Sequence, residues 1–87
     1  MITSVSNIVG TQTIFFNTNE IRRLEILECN NPKCRQRYHY FMFLRDDESE
    51  FEIHYTTWIE LAKAIGMNTL IKDVPKPQLK NENEVMT

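Results

Sequence analysis

Two cysteines, Cys29 and Cys34, bracket the run Asn30-Asn31-Pro32-Lys33. Asn and Pro favour a tight turn, and such a turn can aim two thiolates at one tetrahedral ion. The same pair could instead stay as two reduced thiols in a metal-free turn, or close into a disulfide under oxidising conditions. The imidazoles of the chain are His39 and His54. An extended run from Cys34 to His39 spans about 16 Å at ~3.3 Å per residue. His39 is therefore not expected to share an ion with the cysteines unless residues 35–38 coil.

Over some ten residues, the Cys pair and the basic, then aromatic, segment after it resemble one knuckle of a zinc ribbon. A ribbon needs a second pair, and the chain has no other cysteine. Zinc is thus the one cofactor the sequence admits, held within one chain or shared by two protomers, and the expected state is free of it. Two cysteines are also too few for a secreted disulfide scaffold. The apolar runs are too short to span a bilayer, and Met1 to Ser4 has no basic stretch of the kind that opens an export signal. A reducing cytoplasm is the expected location, with no membrane contact.

Charge is unevenly spread. Residues 20–37 hold five basic and three acidic side chains, whereas 46–60 hold six acidic and no lysine or arginine. The acidic group Asp46, Asp47, Glu48, Glu50 and Glu52 falls on a turn and the strand after it. Such a surface could meet a basic groove on a protein partner, with Phe41 and Phe43 beside it as desolvated anchors. The alternative surface is basic: Arg22, Arg23, Lys33, Arg35 and Arg37 could contact the phosphates of single-stranded nucleic acid while strand aromatics stack bases. These cations could also meet the acidic turn of a second copy in a homodimer. A formal net charge of −2 disfavours general nucleic-acid binding.

Catalysis is not expected. The two glycines, Gly10 and Gly66, are 56 residues apart, so no phosphate-cradling loop exists. No histidine has a visible nucleophile and orienting partner. A helix-turn-helix starting near Glu60 is not expected, because Pro75 ends its second helix within two turns and that stretch lacks the run of polar and basic residues a recognition helix presents.

The elements that must position these residues follow from periodicity. One strand is expected around Thr11 to Phe16, with another near Val5 to Val9. Leu24 and Ile26 alternate with Arg23 and Glu25, which predicts a strand over 21–28. Residues 37–45 and 50–56 read as a hairpin about Asp46-Asp47-Glu48-Ser49. Pairing Arg45 with Glu50 sets Met42 opposite Ile53 and Tyr40 opposite Tyr55, with the apolar set on one face. A tight connection after Glu28 would put Leu24 and Ile26 on the other face, unless a bulge shifts the parity. Thr57-Trp58-Ile59-Glu60 reads as a capping box opening a helix that stops at Gly66. Met67 to Val74 adds a short strand or helical turn, and Pro75-Lys76-Pro77 begins a polar C-terminal tail.

The resulting expectation is one α+β domain over 1–74 and a tail over 75–87. The domain is a small antiparallel sheet of about four strands with one helix packed on a face. Its expected function is non-catalytic protein binding through the acidic hairpin, as in an inhibitor or adaptor encoded by a phage or mobile element. The alternative is a zinc-knuckle or single-stranded nucleic-acid binder.

Overall fold

The computed structural model describes residues 2–80. Five strands form two antiparallel sheets. The first pairs β1 (Ile2–Ser6) with β2 (Thr13–Asn17), and the second has the order β3 (Ile21–Glu28), β4 (Tyr38–Leu44), β5 (Phe51–Ile53). Helix α1 (Tyr55–Ala64) follows, then a 3-10 turn at Ile71–Asp73. This is the expected α+β class, with the strands divided between two sheets. The Ile8 amide donates to the Glu52 carbonyl at 2.8 Å, joining the β1–β2 turn to the β5 edge. Gly10, at φ +74°, makes that turn possible. No described helix is long and apolar enough to cross a membrane.

Both sheets and the helix close on one core: Val5, Phe16, Tyr40, Met42, Ile53, Trp58, Leu61 and Ala62. Trp58, Leu61 and Ala62 fall on one helical stripe, as the 3–4 residue spacing requires. Tyr40 packs edge-on to Tyr55 and Trp58, with ring centroids 5.4 and 6.2 Å away. Its buried hydroxyl donates to the Pro75 carbonyl, so the polar head of a core residue also anchors the chain leaving the domain.

The hairpin keeps its predicted face but not its predicted register. Tyr40 pairs with Ile53 and Met42 with Phe51, two residues away from the expected partners. A two-residue slip preserves which face each side chain occupies, so alternation alone could not detect it. The helix claims Tyr55, the expected partner of Tyr40, and Ile53 takes its place. Arg45 stays with the β3 side of the sheet, its amide donating to the Glu20 carbonyl at 2.8 Å and its guanidinium to the Asn19 carbonyl at 3.1 Å.

The helix also begins earlier than the Thr57–Glu60 signal implies. His54 is the N-cap, without a side-chain cap bond, and β5 ends at Ile53. Tyr55 is therefore helical rather than opposite Tyr40. A capping box does exist elsewhere, at Asn17 and Glu20, opening the 3-10 turn Thr18–Glu20. Gly66 ends the helix in the left-handed region at φ +93°, as expected.

The parity conflict resolves in favour of one apolar face. Ile26 pairs with Tyr40 and Leu24 with Met42, with a register shift between Ile21 and Arg23. The tail docks at its start: Arg37 N–H donates to the Gln78 carbonyl at 2.9 Å and Lys80 N–H to the Arg35 carbonyl at 2.8 Å. Gln36 and Leu79 form an antiparallel bridge between these bonds. The remaining tail, 81–87, lies outside the described residues.

Candidate metal centre

The sheet register carries His39 to the cysteines. Leu27 is the β3 partner of His39, and the Cys29 amide donates to the Arg37 carbonyl at 2.8 Å. Cys29 and His39 are thus diagonal neighbours on one face. Between them the chain turns at Pro32 and Lys33. The Cys34 amide donates to the Asn31 carbonyl and the Lys33 amide to Asn31 Oδ1, both at 3.0 Å. This turn folds Cys34 back over the strand ends.

The expected separation of Cys34 from His39 is therefore wrong: Cys34 Sγ lies 3.3 Å from His39 Nε2. The extended reading fails because β4 starts only at Tyr38 and residue 37 bends. One donor atom from each of Cys29, Cys34 and His39 lies within 4.8 Å of the other two, all half-buried. A tetrahedral ion with Zn–S bonds near 2.3 Å holds two thiolates about 3.8 Å apart. Closing around zinc thus calls for shifts of about an ångström or less.

The ring of His39 is aimed from behind. Its Nδ1 lies 2.7 Å from Glu52 Oε2, and both side chains are about three-quarters buried. In the neutral ring, a carboxylate accepting from Nδ1–H leaves the Nε2 lone pair facing the thiols, which is the tautomer a metal requires, whereas the imidazolium donates from Nε2 toward them. Burial opposes the imidazolium, but the Glu52 hydrogen bond, the contact with Cys29 and the charges of both outweigh it. The His39 pKa is raised as a result.

Cys29 is shifted the other way. Burial opposes its ionisation, yet hydrogen bonds from the Asn31 backbone, Cys34 and His39, and the charge of Lys80, bring its pKa down to about 7. The thiolate, the form that binds metal, is accessible at neutral pH.

The other sequence-derived residues are dispersed or internally engaged. Glu48 accepts a forked bond from Arg22 at 2.6 and 3.2 Å, which holds its pKa below the usual value. Glu52 serves His39 rather than the hairpin surface. Asp46, Asp47 and Glu50 stay exposed, with Asp47 accepting from the Ser49 amide. Phe43 is buried, its ring covered by the Arg23 guanidinium at 4.1 Å, and Phe41 is half-buried. Arg23 also pairs with Glu25, and Arg37 approaches Glu28 at 3.9 Å. Of the five basic residues only Arg37 is half-buried, and Lys33 and Arg35 are the exposed pair at the knuckle.

Sequence reasoning missed Lys80, whose Nζ donates to the Asn31 carbonyl at 2.9 Å. It also missed the role of Glu52, whose only sequence signal was its strand parity with His39. No protein-family model, curated protein or solved structure matches the chain.

Proposed function

We propose that this protein is a zinc-binding domain in which Cys29, Cys34 and His39 hold one ion per chain and thereby staple the β3–β4 connection. The stapled connection, with Lys33 and Arg35 at its surface, then serves as a contact surface for a binding partner. The convergence of two thiols and an oriented imidazole within 4.8 Å carries this reading. Zinc suits the donor set because borderline-soft Zn²⁺ favours thiolate and imidazole together.

Three donors leave one tetrahedral position for water or an outside ligand. A non-catalytic role is favoured because Glu52, the carboxylate beside the donors, is committed to His39 and is not free to act as a base. Protein purified without chelator should contain one zinc per chain by elemental analysis, and Cys29→Ser with His39→Ala should contain none. Equal metal content in the wild type and the double variant would refute the assignment.

A second reading retains protein binding through the acidic turn. It is favoured by Asp46 and Glu50, which are exposed and form no ion pair among the described residues. Charge reversal at those two positions should slow association with a basic protein partner while leaving zinc content unchanged. An unaltered association rate would exclude it.

A further inference from the structure

Lys80 is the one buried charged side chain among the described residues, at 9% exposure. Burying an ammonium costs several kcal/mol unless partners compensate. No described carboxylate pairs with it; its Nζ is spent on the Asn31 carbonyl inside the Cys29–Cys34 turn. Its amide donates to Arg35, and two residues earlier Gln78 accepts from Arg37. Three bonds thus tie one short segment to both limbs of the metal-binding connection, and each would be lost if that connection changed shape.

We propose that Gln78–Lys80 is a metal-linked clamp, whose docking and the zinc occupancy of Cys29, Cys34 and His39 form one coupled equilibrium. The inference rests on the zinc reading and adds its regulation. An ion fixes the 29–37 connection in the shape that accepts the clamp. Removing the ion frees that connection, and the clamp loses the surface it pairs with. Coupling of this kind is reciprocal: the factor by which metal stabilises the docked clamp is the factor by which the docked clamp tightens metal binding.

The coupling reaches beyond the ion. Pro77, Gln78 and Leu79 form one wall of a cleft of about 200 Å³ whose other walls include Tyr38, Tyr40 and Tyr55. Metal release therefore opens that cleft along one side. The clamp would make an aromatic surface available in the metal-free state and restrict it in the loaded one.

Amide hydrogen exchange on the full chain tests this, comparing zinc-loaded with chelator-treated protein. The Arg37 and Lys80 amides should exchange about tenfold or more slowly with zinc, a typical coupling factor. The Ile8 amide, bonded to Glu52 on the β5 edge, should keep its rate. Lys80→Pro removes both the amide and the ammonium, and should weaken zinc binding by about the same factor. If zinc binds but the Arg37 and Lys80 amides do not respond, the clamp is refuted and the metal site stands. Equal loss of Ile8 protection on chelation would likewise refute it, since the change would then be global. Failure of the wild type to bind zinc would overturn both.

Discussion

Replacing Glu52 tests whether the His39 ring is held for a metal. The Glu52 Oε2 to His39 Nδ1 separation is 2.7 Å, and both side chains are mostly shielded from water. A hydrogen bond to a charged group contributes about 1.5–3 kcal/mol. Outer carboxylates that orient a metal-bound histidine typically change affinity by about 10–100-fold, which is about 1.4–2.8 kcal/mol at 1.4 kcal/mol per decade. The two routes agree.

Glu52→Gln keeps an acceptor and loses the charge, so it should weaken zinc binding about tenfold; Glu52→Ala should approach about a hundredfold. Competition against a chromophoric chelator at pH 8 measures both. The difference should narrow toward pH 6. Glu52 raises the His39 pKa, so in the wild type a proton competes with the metal as pH falls, and the variants hold that proton less tightly. Equal affinities at pH 8, or a gap that widens in acid, would refute the reasoning.

Four further perturbations are set by the same structure. Met42 is fully buried at the centre of the core, so Met42→Ala should cost about 2–5 kcal/mol in urea denaturation, whereas a loss below about 1 kcal/mol would mean the core is loosely packed. In metal-free protein, alkylation of Cys29 should be half-maximal near pH 7. The fold favours its thiolate, so the associated stability is present above the ordinary thiol range and is lost as pH falls through about 7; an ordinary thiol profile would contradict the proposed surroundings. Glu48→Gln breaks the exposed bond to Arg22 and should shift stability by less than about 1 kcal/mol, while Phe43→Ala, which empties the space under Arg23, should cost more by the same denaturation assay.

Local sequence signals placed the framework well. Alternation gives β3 over Ile21–Glu28, and the single-sided apolar set of β4 and β5 gives the face that meets the helix. Gly66 marks the helix end because only its backbone favours the left-handed cap. The hairpin register was not legible, since a two-residue slip leaves every side chain on its face and the helix removes Tyr55 from the strand.

The candidate metal centre was half legible. The Cys pair announced a turn, but His39 reaches it only because residues 35–37 leave the strand path. There Arg35 and Arg37 bond instead with Lys80 and Gln78, more than forty positions away in sequence. The acidic segment misled for a similar reason. Composition counts Glu48 and Glu52 as free surface charge, whereas tertiary contacts give one to Arg22 and the other to His39.

X-ray absorption at the zinc edge of the loaded protein tests the central claim most directly. The predicted spectrum contains two sulfur ligands near 2.3 Å and one imidazole nitrogen near 2.0–2.1 Å, with a fourth light-atom donor. Four sulfurs would mean a site shared between two chains, and a shell of oxygen and nitrogen alone would mean that Cys29 and Cys34 do not hold the metal.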